Sequence, residues 1–183
     1  MKRKVTTLPT ASCVAPADAK MRLAIEHDED DYLLESLIAE ASDWAEKYID
    51  RPIMEQVITY YFDGFDSDLE LFTRDISGII IKYDDENNTE QTLSDSLYDA
   101  DIICYPSKIT ADSWPETYEK TNSVRVEVTA GYATEATVPP SIKTAVLLMV
   151  GHLYNNREGS SDNRVNELPL GVQSFLERYR VMM

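Results

Sequence analysis

The spacing of the hydrophobic residues changes twice along the chain, and this change constrains the fold more than any other feature. Between residues 33 and 48, apolar side chains recur at the spacing of one helix face: Leu33, Leu34, Leu37, Ile38, Ala41, Trp44, Ala45 and Tyr48. Over Ser123–Ala130 they alternate with polar residues, which is typical of a strand. Helical spacing returns from Ile142 to Leu153. The sequence therefore predicts an α+β fold, in which the N- and C-terminal segments form a helical bundle and a β-rich segment, about residues 53–130, is inserted between them.

Local signals set the expected bounds of the elements. Residues 1–14 have no apolar period and predict a flexible arm. Asp30 or Asp31 is expected to cap the long helix and Arg51-Pro52 to end it, because a residue before proline avoids helical geometry. The other expected elements are helices over 16–25, 140–157 and 172–179, strands over 57–62, 69–72, 78–83, 91–93, 97–105, 108–110 and 123–130, and a mobile polar loop over 159–166. We expect these elements to form a single domain over residues 1–183.

The charge balance excludes one large class of functions. The chain of 183 residues has 33 acidic and 17 basic residues, so its formal charge is −16. Capture of DNA or of an anionic membrane needs clustered lysine and arginine, which this composition does not favour. Hydrophobic residues make up 43%, and there are 11 tyrosines, which is too many for an intrinsically disordered chain.

Cysteine content and hydropathy indicate the compartment. The two cysteines, Cys13 and Cys104, predict reduced structural thiols in a cytosolic protein and not a disulfide framework. The basic start at Met1 is followed by polar residues, so we expect no signal peptide. The longest apolar run, Ala145–Val150, is far shorter than the ~20 residues of a membrane-spanning helix.

The motifs of common enzymes are missing from the sequence. It contains no P-loop, no dinucleotide-binding glycine pattern, no nucleophile elbow and no C-x-x-C pair, and it suggests no cofactor. The two histidines, His27 and His152, lie in different predicted elements and have no neighbouring nucleophile motif. The five carboxylates within residues 26–31 lack the glycine of a calcium loop and are interpreted as a solvated helix start. We expect neither a catalytic site nor a metal site.

The order of four segments resembles the head–tail connector (adaptor) proteins of long-tailed double-stranded DNA phages. The four are the residues Ala19–Ala41 with their acidic turn, the helix end Ala45–Ile53 with its Arg-Pro-Ile, the stretch from Val126-Glu127-Val128-Thr129-Ala130-Gly131-Tyr132 through Val138-Pro139 to Glu158, and Leu168-Pro169-Leu170-Gly171-Val172 with the closing Tyr179-Arg180. Together they span most of residues 16–180.

The resemblance implies a structural virion protein, not an enzyme, at the head–tail junction, assembled in the host cytoplasm. It implies a homo-oligomeric ring, which is commonly twelve-fold. Before assembly the chain could exist as a monomer. Its partners would be the portal protein and the next neck or tail-completion protein. DNA would pass through the channel without specific binding. The C-terminal segment is implied to dock on the portal. By their position in this segment, Phe175, Leu176 and Tyr179 would be its apolar anchors. Arg157 is a candidate partner for a carboxylate of a neighbouring subunit.

Other classes stay open from the sequence alone. An acidic inhibitor that mimics DNA would bind a DNA-processing enzyme and form no ring. A small hydrolase is disfavoured by the two separated histidines. A tail-completion or stopper ring would differ from the adaptor in its docking partner and not in its chemistry.

Overall fold

The structure, a computed structural model, describes residues 2–65, 68–156 and 170–181, with Leu170 described by its backbone only. The chain divides into two compact units. One comprises Met1–Pro9 and Glu55–Gly131, and the other comprises Thr10–Met54 and Tyr132–Met183. No helix of the described residues is both long and apolar enough to cross a membrane.

The second unit is helical. Its helices are α1 (Pro16–Leu23), α2 (Asp31–Ile49), α3 (Pro140–Asn155) and α4 (Leu170–Leu176). Helix α1 begins with a proline, whose fixed φ suits the first turn, and ends at Ala24, which is left-handed at φ 55°. The helices pack on a core of fully buried side chains that includes Leu34, Ile38, Ile49, Ile142, Val146, Val150 and Leu176. The helical spacing in the sequence thus marks the buried faces of α2 and α3.

The start of α2 differs from the capping prediction. Asp30 is the N-cap residue, but its side chain makes no capping hydrogen bond. It accepts a hydrogen bond from the Tyr154 hydroxyl of α3 instead. Asp31 pairs with Lys20 at 2.6 Å. The carboxylates therefore tie α2 to α3 and α1, a use that the local sequence could not reveal.

The first unit contains two antiparallel sheets. A five-stranded sheet has the order β1-β2-β8-β4-β5, and a three-stranded sheet has the order β3-β7-β6. The strands are β1 (Lys2–Thr7), β2 (Gln56–Phe62), β3 (Asp68–Leu71), β4 (Ile76–Asp84), β5 (Glu90–Thr92), β6 (Asp99–Asp101), β7 (Ser107–Thr110) and β8 (Val124–Ala130). In β8 every second residue is buried, as its alternating sequence predicts.

Two β segments differ from the sequence prediction. The expected flexible arm contains β1, which pairs with β2 from Lys2 opposite Tyr61 to Thr7 opposite Val57. All six residues of β1 are exposed, so main-chain pairing and not apolar burial holds it, and no hydrophobic period signals it. The strand expected over 97–105 is reduced to β6, and a turn follows in which Asp101 accepts hydrogen bonds from the Ile103 and Cys104 amides. The chain is therefore a mixed α and β protein with four helices and two antiparallel sheets among its described residues.

Candidate assembly surfaces

The C-terminal segment packs back onto the helical unit. Val172, Leu176 and Val181 are buried there, and the Val181 amide donates to the Ile49 carbonyl oxygen over 3.0 Å. Of the three predicted docking residues, Leu176 is completely buried in the core, Tyr179 is half-buried and Phe175 is 38% exposed. Phe175 is therefore exposed to solvent, whereas the Leu176 side chain packs inside its own subunit.

A polar cluster holds the end of this segment on α2. The Tyr48 hydroxyl donates a 2.7 Å hydrogen bond to Glu177 Oε2, which raises the pKa of Tyr48. The Arg180 guanidinium lies 5.4 Å from the centre of the Tyr48 ring, within the range of a cation–π contact. Trp44 stacks on Tyr48 at 5.2 Å. Helix α2 and the C-terminal segment thus form one continuous surface around Tyr48.

Two large apolar side chains of the helical unit are strongly exposed. Tyr32, in the first turn of α2, is 86% exposed, and Met21 on α1 is 78% exposed. Large apolar side chains at this exposure are candidates for contact with another protein. Arg157, the predicted interface residue, lies outside the described residues, as does the loop predicted over 159–166.

The five-stranded sheet carries a charged cluster at one end. Asp84 accepts two 2.9 Å hydrogen bonds from Arg125, and Lys120 Nζ lies 3.1 Å from the same carboxylate. Arg125 also donates to Glu90 over 2.8 Å. The Asp84 side chain is 6% exposed, and chiefly its hydrogen bonds with Arg125 lower its pKa to about 2. This cluster fixes β4, β5 and β8 to one another and has the geometry of a structural ion pair.

An apolar turn of the first unit was missed by the sequence reasoning. Ile103 is 94% exposed, and Leu97 and Ile102 are 56% and 44% exposed. Ile102 lines a groove of about 330 Å³, together with Asp95, Tyr98 and residues of β4 and β6. The apolar content of this stretch suggested a strand, and only the exposure of Ile103 identifies it as a candidate contact surface.

The described residues offer little for chemistry. They contain no group of three or more histidine, cysteine or acidic side chains arranged to hold a metal ion. Cys13 is buried beside Ser42, and burial raises the pKa of its thiol. Cys104 is exposed, and its contact with Asp101 raises its thiol pKa. Neither cysteine has the lowered pKa of a catalytic nucleophile.

Comparison with known proteins gives one family. The family of phage gp6-like head-tail connector proteins matches residues 17–112 and 115–180. No curated protein matches the chain significantly. The match extends over most of both units and leaves out β1. It confirms the resemblance drawn from the order of the four sequence segments.

Solved structures share the fold along the whole chain. A chain of the virion of a native gene transfer agent (GTA) particle is 17% identical, with a TM-score of 0.80. Chains of the neck of the empty GTA particle, computed with C6 symmetry, and of the native particle, computed with C12 symmetry, are 18% and 16% identical, with TM-scores of 0.78 and 0.77. Each comparison covers 100% of this chain and 97% of the other. At these identities the similarity establishes the fold. The family match over both units shows that the chain belongs to the phage gp6-like head-tail connector family, whose members are structural virion proteins and not enzymes.

Proposed function

We propose that the chain forms a ring adaptor between the phage portal and the next neck or tail-completion protein, at the head–tail junction of the virion. The observation that carries this proposal is the family match, which includes residues of both units in one connector sequence. On this proposal, residues 1–183 act as one connector domain, with the helical segments forming a bundle and the ring body, and the β-rich segment inserted between them.

The expected assembly is a twelve-fold ring of identical subunits. Chains of the same fold occur in a GTA neck computed with C12 symmetry, which supports this number. A closed ring is made of head-to-tail contacts, so each subunit needs two different and complementary surfaces. The exposed Tyr32 on α2 and Met21 on α1 are candidates for one of them. The isolated chain is expected to stay monomeric in the host cytoplasm until the portal organises it.

The acidic composition suits a channel for DNA. The formal charge of −16 on each chain gives a twelve-fold ring about −192 in total. Carboxylates that face a lumen repel phosphate over about 8–10 Å at physiological salt, so DNA slides without binding. The ring would in this way extend the DNA channel of the portal.

The C-terminal segment is the proposed portal-docking surface, and Phe175 and Tyr179, without Leu176, are its proposed contact residues. Phe175 is exposed and Tyr179 is half-buried, so both can contact a partner, whereas Leu176 supports the fold. Removal of the whole segment would also remove the buried Val172 and Val181. A single substitution at an exposed position is therefore the cleaner test.

The experiment combines purified portal with the chain and images the mixture by negative stain. We expect a twelve-fold collar on the portal with the wild-type chain, and a bare portal would refute the adaptor role. Phe175→Ala should lower collar occupancy, whereas Ser174→Ala, an exposed neighbour on α4, should leave it unchanged. Equal occupancy for both variants would refute the assignment of the docking surface. Stoichiometric binding to a DNA-processing enzyme without any ring would instead support the acidic DNA mimic.

A further inference from the structure

The five-stranded sheet has two outer strands that differ in chemistry. β1 and β5 each pair on one side only, and no strand of the described residues lies beyond either. All residues of both strands are exposed. Unpaired main-chain N–H and C=O groups on such an edge can accept a strand from another chain. β1 begins with Lys2-Arg3-Lys4, whereas β5 begins with Glu90 and follows Asp85-Glu86.

The charges of the two edges lie on the same face of the sheet. Cross-strand register gives one row from edge to edge: Lys2, Tyr61, Arg125, Lys82 and Thr92. Since alternate residues share a face, Lys4 and Glu90 lie on this face as well. The opposite face contains the apolar side chains of the sheet, such as Val126 and Ile81, which are fully buried. A second sheet joined edge to edge would continue both faces, polar with polar and apolar with apolar.

The β4–β5 edge has an excess of negative charge. Glu86 and Glu116 are in hydrogen-bond contact, and this contact raises the pKa of Glu86. The nearby cations Lys120 and Arg125 are already bound to Asp84, and Arg125 also shares its charge with one oxygen of Glu90 over 2.8 Å. Cations supplied from outside would relieve the repulsion between the glutamates. On β1, Lys2 Nζ donates a 3.4 Å hydrogen bond to the side-chain oxygen of Asn122, which is a neutral partner.

The strand directions permit a head-to-tail contact. Each neighbouring pair in β1-β2-β8-β4-β5 is antiparallel, so the two outer strands run in the same direction. The rotation of about 30° between neighbours in a twelve-fold ring largely keeps this direction. The β5 strand of one copy would therefore meet the β1 strand of the next copy in parallel. If Glu90 of one copy lies beside Lys2 of the next, Thr92 lies beside Lys4, because Thr92 follows Glu90 by two residues and Lys4 follows Lys2 by two residues.

We propose that the partner of the β1 edge is the β5 edge of a second copy of this chain, so that neighbouring subunits of the ring join their five-stranded sheets through a parallel strand pair in which Lys2 lies beside Glu90 and Lys4 lies beside Thr92, diagonal to Glu90. The proposal rests on the proposed ring. The two edges are different and complementary, as the contacts of a closed ring require, and they would act beside any contact through Tyr32 and Met21. The strand pair is short, so each contact is weak, and the ring gains strength from closure and from the portal beneath it.

Two charge-reversed chains test this pairing by complementation. Chain X carries Lys2→Glu and Lys4→Glu, so both of its edges are acidic. Chain Y carries Glu86→Lys and Glu90→Lys, so both of its edges are basic. Each chain alone repels its own copies, but X and Y can alternate around a ring with an even number of subunits. The matched control carries Arg22→Glu and Lys47→Glu. It changes the net charge of the chain by the same amount as X, but the changes lie in the second, helical unit and not in the first unit with the sheets.

Collar occupancy on purified portal is measured against chain concentration by negative stain, and circular dichroism checks that each variant is folded. We expect X and Y alone to need about tenfold more chain than wild type for half occupancy, and an equal mixture to return to the wild-type value. Raising the salt concentration should weaken the wild-type collar and narrow the difference from X.

The outcomes separate this pairing from the adaptor role. If chain X alone reaches the same collar occupancy as wild type, the edge pairing is overturned. The β1 lysines would then only protect a free sheet edge from unwanted pairing. Failure of the folded mixture to assemble, while wild type assembles, also overturns it and leaves the adaptor role intact. A wild-type chain that forms no collar overturns both proposals.

Discussion

Replacing Asp84 with asparagine tests the ion-pair cluster of the sheet. The Asp84 carboxylate is 6% exposed and accepts two 2.9 Å bonds from Arg125. Asparagine keeps the size of the side chain, but it replaces one acceptor oxygen with an NH₂ group that faces the guanidinium donors. Arg125 keeps its 2.8 Å bond to Glu90, so the cluster is weakened and not abolished. We expect Asp84→Asn to fold and to lose stability.

The pKa of Asp84 sets the size of the loss. It falls from its ordinary 3.8 to about 2, and at about 1.36 kcal/mol per pKa unit the ionised group contributes about 2.4 kcal/mol to the free energy of unfolding. Because the pKa is lower in the folded state, this contribution is fully present above pH 3.8 and is lost as the pH falls through about 2. The difference between wild type and variant should follow the same course.

Urea unfolding can measure this difference in the unit concerned. Trp114 stacks on Phe65 at 4.6 Å, so its fluorescence reports on the first unit in a Trp44→Phe background. Asp84→Asn should lower the free energy of unfolding by about 2.4 kcal/mol at pH 7, and the gap should close towards pH 2. The control Glu70→Gln removes an ion pair with Lys108 whose side chains are 45% and 44% exposed, and it should cost under about 0.5 kcal/mol. A gap that is the same at pH 7 and pH 2.5 would refute the electrostatic explanation.

Three further predictions concern local features. Ala24→Gly should raise the free energy of unfolding by about 1 kcal/mol in a urea titration, because Ala24 is left-handed at φ 55° and glycine adopts this conformation without steric cost; a destabilised variant would contradict this. A thiol reagent under native conditions should modify the exposed Cys104 and spare the buried Cys13, so mass spectrometry should find one adduct when folded and two in urea. Tyr60→Phe should cost about 1–2 kcal/mol, because it removes the 2.6 Å bond to the buried Thr73 hydroxyl; unchanged stability would show that this bond is not needed.

Elements with a buried face could be predicted from the sequence. α2 and β8 were predicted with correct bounds to within one residue, since burial of one face imposes a period of 3.6 or of 2. β1 has no buried face, so its sequence contains no period, and only its register with β2 defines it. A strand held by main-chain bonds at an edge cannot be found by hydrophobic patterning.

The candidate surfaces were less predictable, because they depend on residues distant in the sequence. Leu176 lies on a short helix whose apolar residues could equally face a partner or the core. The burial of Leu176 depends on packing against α2 and α3. Further along the same segment, the Val181 amide donates a hydrogen bond to the Ile49 carbonyl oxygen. In the same way, Asp84 and Arg125 are 41 residues apart and meet only because β4 pairs with β8. The family resemblance suggests the C-terminal segment as a docking surface, which stays a prediction, and it could not identify which residues of the segment face outward.

The contacts of the cations give the net charge a physical meaning. Several of the 17 cations pair with acids of their own unit: Lys20 with Asp28 and Asp31, Lys82 with Glu127, Lys143 with Glu135, and Lys120 and Arg125 with Asp84. Taken together, these five cations and five acids cancel at a distance, so the field around the subunit comes from the excess carboxylates. Lys2 and Lys4 are different, because they lie together on an exposed sheet edge of an otherwise acidic chain. In the proposed ring, that edge would attract another acidic copy at short range while the assembled subunits would still repel DNA. In the proposed ring, self-association and DNA exclusion would therefore need no compromise in the composition, because a few cations at one edge would serve the first and the total charge would serve the second.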